Sequence, residues 1–152
     1  MGEFVETSRG TRISRDATVH GGRNVDLDAR VVISSGVVLH GDVGRISIGS
    51  DSALLERTVV RPPPILDAED DSRHTPVAIG AHTVIGKGCV VKASAIGSNC
   101  FIEDNVVLGC RSVLKDGCIV EEGAHVADDA VFPPFSIIKG KPARRVGKVM
   151  SA

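Results

Sequence analysis

The chain has 152 residues, 18 Lys and Arg against 19 Asp and Glu, and neither Trp nor Tyr. That length suits one domain with a real core, and the balanced, interspersed charge gives no polyanion-binding character, so no nucleic-acid partner is expected. The sequence lacks an apolar run long enough to span a bilayer, and Met1 to Arg12 is too polar for a leader, so direct membrane insertion is not expected.

Residues 1–12 are expected to cap the first coil. From Ile13 a beat of six begins, Ile13, Val19, Val25, Val31 and Val37, and Ile48, Leu54 and Val60 continue it. A period of six sustained over many repeats is incompatible with an amphipathic helix, whose apolar positions recur near 3.6 residues. It describes a triangular coil with a large anchor on each side, so residues 13–61 read as the first coils of an all-β solenoid. The beat fails over residues 62–76, where Arg61-Pro62-Pro63-Pro64 leads into an acidic stretch holding Asp67, Glu69, Asp70 and Asp71. Proline cannot join a ladder, so this is the one long protruding loop, and long loops tend to carry function.

The beat resumes at Ile79, Ile85 and Val91, tightens by one residue to Ile96, and runs through Ile102, Leu108, Leu114, Val120, Val126, Phe132 and Ile138. Residues 77–140 are the remaining coils, and 141–152 a C-terminal tail in which Pro142, with Pro133 and Pro134 before it, is expected to stop ladder pairing. Six to seven coils at ~4.8 Å each give a prism roughly 30 Å tall. Four residues after most anchors lies a second, small column that includes Ala29, Ser35, Thr83, Cys89, Ala95, Cys100, Cys118 and Ser136. The four cysteines show no CxxC or zinc-like spacing, and those of the small column read as buried thiols filling the interior. The five histidines form no HxxxH or HExxH pattern and read as solvated loop or corner residues.

The repeat resembles that of hexapeptide-repeat proteins, which implies a single-stranded left-handed parallel β-helix. Within that group, the stretch from Val38 to Gly49, with His40-Gly41-Asp42, resembles gamma-class carbonic anhydrases. In the segments that carry the metal ligands of those enzymes, Arg61, Lys87 and Lys92 stand at the three histidine positions and Leu55 at that of the active-site glutamine. Zinc needs neutral imidazole or anionic donors, whereas Arg keeps its proton and Lys loses it only at large cost. A non-enzyme with no metal and no cofactor is therefore expected.

A second resemblance covers about Phe4 to Gly140. Phe4-Val5-Glu6-Thr7, Ile13-Ser14-Arg15, His40-Gly41-Asp42, Val60-Arg61-Pro62-Pro63, Ser112-Val113-Leu114-Lys115-Asp116 and Phe132-Pro133-Pro134-Phe135 are similar, in the same order, to motifs of the p25 (subunit 5) family of dynactin. The resemblance implies a cytoplasmic, cytoskeleton-associated structural subunit of the dynactin pointed-end complex. Its partners would be p27, p62 and the actin-related protein Arp11, with cargo adaptors beyond them. Partner contacts would fall to the acidic loop residues and to Arg61, Lys87 and Lys92. The close Gly140-Lys141-Pro142-Ala143-Arg144 also resembles that of hexapeptide acyltransferases and gamma-class anhydrases, which leaves an enzyme of either kind as the alternative.

Overall fold

The computed structural model describes residues 4–65 and 73–150. Short parallel strands wind into a left-handed β-helix of about six coils, each coil contributing one strand to each of three faces. Ile13, Ile33, Leu54, Ile85, Ile102, Val120 and Ile138 stack on the first face. Val19, Leu39, Val60, Val91, Leu108 and Val126 stack on the second. Leu27, Ile48, Ile79, Ile96, Leu114 and Phe132 stack on the third. From Ile33 onward these anchors are buried, and they fill the prism. β-Branched and leucine side chains suit this narrow interior, where each anchor lies on its own kind one coil away.

The early coils correct the expected phase. The anchors are Leu27, Ile33 and Leu39, not Val25, Val31 and Val37. A 3-10 turn at Gly22–Asn24 lengthens one corner and displaces the count by two residues. Strand side chains alternate with period two, so the displaced valines still point inward, and Val31 and Val37 are fully buried. Ala95 is likewise displaced. At the tightened corner after Val91 it faces outward beside Ala78, and Ser94 takes the inner place.

The small column proves to be a polar ladder. Its polar residues sit two before an anchor and donate to corner carbonyls, Ser112 and Ser136 to Gly109 O and Pro133 O of their own coil and the others to the next. Ser52 Oγ reaches Gly80 O at 2.7 Å, Thr58 Oγ1 reaches Gly86 O at 2.6 Å, and Thr83 Oγ1 reaches Gly97 O at 2.7 Å. The thiols continue the pattern, Cys89 to Glu103 O at 3.2 Å, Cys100 to Lys115 O at 3.3 Å and Cys118 to Pro133 O at 3.3 Å. The hydroxyls also accept, from Thr83 N to Ser52 at 3.0 Å and from Cys89 N to Thr58 at 3.1 Å. A buried carbonyl or amide left unpaired costs as much as a lost hydrogen bond, and the ladder removes that cost.

Corners demand left-handed backbone, which most L-residues resist. Asp51, Asn99, Asn105 and Asp129 adopt it, as do several arginines, His82 and Phe135. Gly117, at φ +73°, needs glycine twice over, since an added Cβ would meet the ring of Phe135. Gly86, directly after its anchor, shows why that position recurs as glycine. A Cβ there would stand 2.7 Å from the backbone of Glu103 on the next coil.

Antiparallel strands close both ends. At the start, Phe4–Glu6 pairs antiparallel with Arg12–Ser14. At the finish, pairing does not stop at Pro142. The chain turns back, and Ala143–Lys148 pairs antiparallel with Ser136–Gly140 across a bulge at Ile137 and Ile138. Proline at the turn withholds no ladder donor, so pairing resumes beyond it. Among the described residues no helix is long and apolar enough to cross a membrane.

Val106→Asp, which places a carboxylate at a fully buried ladder position, is expected to destabilise the fold by more than ~4 kcal/mol. A chemical melt unchanged from the parent would overturn the assigned register. Thr83→Val keeps shape but deletes the hydroxyl, leaving Gly97 O and the Cys100 amide short of a partner. A loss of about 1–3 kcal/mol is expected from the urea midpoint.

Candidate partner-binding corner

The corner that follows the second face gathers residues far apart in sequence. Each directly follows a stacked anchor, so His20, His40, Arg61 and Lys92 fall one above another on successive coils. The rings of His20 and His40 stack, with centroids 5.3 Å apart and planes 15° from parallel. His40 Nδ1 lies 3.7 Å from Asp42 Oδ1. Above them the Arg61 amide donates to Val91 O at 2.9 Å and the Lys92 amide to Leu108 O at 3.2 Å, which fixes both side chains at the corner. Arg61 is exposed and Lys92 half-buried. Among the described residues neither side chain makes an ion pair.

Lys87 and Leu55 lie elsewhere, at the corner that precedes the second face. The backbone of Lys87 is held by Asp104 Oδ1 at 2.9 Å, and its neighbour Gly88 by Glu56 O at 2.9 Å. Leu55 borders a groove of about 260 Å³ with Phe101, Glu103, Asp104 and Glu122. Within one chain the structure therefore joins Arg61 to Lys92 and keeps Lys87 and Leu55 apart from them. Two guanidinium or ammonium groups at one corner repel a cation, so these residues do not fit a zinc ion. Among the described residues, no three His, Cys, Asp or Glu side chains converge as a metal-holding group.

The histidines were expected at solvated corners, and His20 and His125 are exposed. What spacing by six concealed is that His20 and His40 continue the Arg61–Lys92 line. The signal was present in the sequence, since each follows an anchor, but the displaced phase of the early coils hid it. His82 lies at another corner, its Nε2 3.9 Å from Asp51 Oδ2, beside the bidentate Arg30–Asp51 pair at 2.7 and 3.0 Å. That pair raises the Arg30 pKa and holds Asp51 below the usual carboxylate range, through hydrogen bonding first and charge second.

The long loop leaves from the same cationic corner. Its base is a small antiparallel stem, with Thr75 N donating to Pro63 O at 2.7 Å and Ile65 N to Arg73 O at 3.0 Å. Arg111 Nη1 clasps Pro64 O at 2.9 Å while its other nitrogens grip Asp129. His74 Nδ1 is buried there without a hydrogen-bond partner. Asp67, Glu69, Asp70 and Asp71, expected to contact partners, lie outside the described residues.

Comparison with known proteins places this geometry. The hexapeptide transferase family protein of Anaplasma phagocytophilum superposes with a TM-score of 0.71 at 21% identity, covering 92% of this chain and 80% of that one. The acetyltransferase domain of PglB from Neisseria gonorrhoeae superposes with a TM-score of 0.59 at 17% identity, over 90% of this chain and 57% of that one. At such identities the likeness speaks for the fold alone. By sequence, Dynactin subunit 5 of Dictyostelium discoideum is 34% identical over 96 residues, 63% of this chain and 48% of the relative, so the match spans about half of that protein. Dynactin subunit 6 of Danio rerio is 28% identical over 144 residues, 93% of this chain and 73% of the relative. Gamma carbonic anhydrase 2, mitochondrial, of Arabidopsis thaliana is 28% identical over 120 residues, 75% of this chain and 40% of the relative. The family described as Dynactin subunit 5 matches residues 1–151, nearly the whole sequence, and the chain belongs to that family.

Proposed function

We propose that the protein is a non-catalytic, cytoplasmic structural subunit of the dynactin pointed-end complex, in which it meets p27, p62 and Arp11 and supports cargo binding. The family match over residues 1–151 carries this reading. Two further observations support it. The positions aligned with anhydrase metal ligands hold Arg61, Lys87 and Lys92, which are poor donors to zinc. The corner bearing His20, His40, Arg61 and Lys92 is a row of cationic or protonatable groups at the coil spacing of ~4.8 Å. Such a row suits partner carboxylates, which gain both charge and hydrogen bonds when the contact is dried.

The test is affinity purification of the tagged protein from its own cytosol, followed by mass spectrometry. Actin-related proteins and a second β-helix subunit are expected to co-purify. Recovery of a lone homotrimer that binds acetyl-CoA would overturn the proposal in favour of the acyltransferase reading.

The double variant Arg61→Glu, Lys92→Glu separates the corner from the fold. Neither side chain is in an ion pair within the described residues, so its melting temperature should stay within about 2 °C of the parent. Recovery of the complex is expected to fall at least tenfold, which is about 1.4 kcal/mol of association free energy. Full recovery would remove this corner from the interface.

A further inference from the structure

Two adjacent rungs of the interior ladder carry thiols where most rungs carry hydroxyls or apolar groups. Phe101 pairs in register with Ile119, so the preceding residues, Cys100 and Cys118, face each other across successive coils. Their backbones are tied by Phe101 N donating to Cys118 O at 2.9 Å. Both side chains point inward, with exposures of 2% and 0%. Each thiol donates its proton to a carbonyl of the next coil, Cys100 to Lys115 O and Cys118 to Pro133 O, both at 3.3 Å.

We propose that Cys100 and Cys118 are a redox pair that closes to an intrachain disulfide when the protein meets a peroxide. In-register rungs stand ~4.8 Å apart at Cα, inside the ~4.4–6.8 Å range that disulfides span. Their Cβ atoms, set by the same spacing, sit just beyond the ~3.5–4.5 Å that relaxed bridges prefer, so the bond forms slightly strained. Strained bridges are the readily reduced kind, which suits a reversible link and not a permanent staple.

Charge distribution within the pair fits an ordered attack. Once Cys118 ionises, the Cys100 thiol turns its proton to it, which holds Cys118 down at about 7, and the same interaction, then burial, pushes Cys100 up. Cys118 thiolate attacks one peroxide oxygen, the O–O bond breaks, and the departing oxygen takes up a proton and leaves as water or an alcohol. The sulfenic acid so formed on Cys118 is attacked by the Cys100 sulfur, the S–S bond forms, and the hydroxyl leaves as water with the Cys100 proton. In sum, two thiols and one hydrogen peroxide give one disulfide and two waters, the thiols losing two electrons to the peroxide.

The pair lies near the C-terminal end of the prism, with Ser136 the one further rung on its face. Beyond the pair on that face stand the Ser136 strand and the returning Ala143–Lys148 alone, and coils toward the end of a solenoid open at lower free energy than the middle. That opening gives peroxide its route to side chains that are closed off in the ground state. The bridge then fastens two adjacent coils and withdraws the thiol donors from Lys115 O and Pro133 O.

The test exposes the folded, fully reduced protein to hydrogen peroxide, traps remaining thiols with an alkylating agent, and maps the peptides by mass spectrometry. The expected result is a Cys100–Cys118 cross-linked peptide, loss of two hydrogens from the intact mass, and restoration by a thiol reductant. Cys100→Ser is expected to fold, because Ser52 and Ser136 already serve as rungs, and to give no intrachain cross-link while Cys118 accumulates sulfenic or sulfinic acid. Oxidation confined to Cys110, or over-oxidation of Cys118 in the parent without the cross-link, overturns the proposal. A cross-link that forms only in denaturant overturns it as well.

Discussion

A triangular coil can repeat only if the carbonyls that its corners turn inward find donors, and this requirement shapes most of the chain. Three sharp corners per coil interrupt the strands, and the ladder between coils cannot satisfy every group there. The inner position two before each anchor meets the need. Hydroxyls of Ser52, Thr58 and Thr83 each donate to a carbonyl on the next coil and accept an amide from it or beside it. Because the coil height is constant, one solution serves at every level, and anchors and rungs sort into separate columns. The rung must be small to fit beside a large anchor and polar enough to donate. Ser, Thr and Cys meet both conditions, and where Ala124 or Ala130 stands its own amide serves the corner carbonyl, Glu121 O at 3.1 Å or Ala127 O at 3.3 Å.

The outer side of the same corners obeys a second rule, which is that the chain must pass through left-handed backbone. Asn, Asp and Gly carry much of that load, and side chains of the following coil complete it. Asp104, Asp116 and Asp128 accept from the amides of Lys87, Ser98 and Cys110 at 2.9, 2.8 and 2.7 Å. These carboxylates therefore hold turns and are not available as an acidic binding face. The exposed Arg–Asp pairs at other corners add little to stability, since solvent screens them. Their value is in fixing direction, as where Arg111 bridges Asp129 and the base of the loop.

The sequence carried the solenoid clearly because six-residue spacing survives any local error that preserves parity. Val25, Val31 and Val37 were set on the wrong rung, yet they remain interior residues, since a slip of two keeps a strand side chain on its own face. What period alone could not reveal was the 3-10 turn at Gly22–Asn24, which has no strong turn dipeptide beyond Gly21-Gly22. That lost phase concealed the alignment of His20 and His40 with Arg61 and Lys92. The small-column thiols are the buried interior residues that size predicts, but spacing does not say which carbonyl each one faces. The antiparallel return of Ala143–Lys148 was hidden by Pro142, whose missing donor matters only inside a ladder and not at a turn.

The fold fixes where a corner side chain stands, and residue chemistry alone decides what it can do there. Neutral imidazoles converging at such a corner can share a metal, whereas Arg61 and Lys92 in the same kind of place repel one. Their positive charge is tolerated in the free chain because both side chains reach water. A partner that covered the corner would remove that water and lower the local dielectric, so each unpaired cation would then require an anion opposite it. A row with one protonatable or cationic group per coil would thus select for a partner surface with carboxylates at matching height. Mismatched partners would leave a buried charge unpaired, a penalty of several kcal/mol, and on the proposed reading that penalty would be the source of specificity.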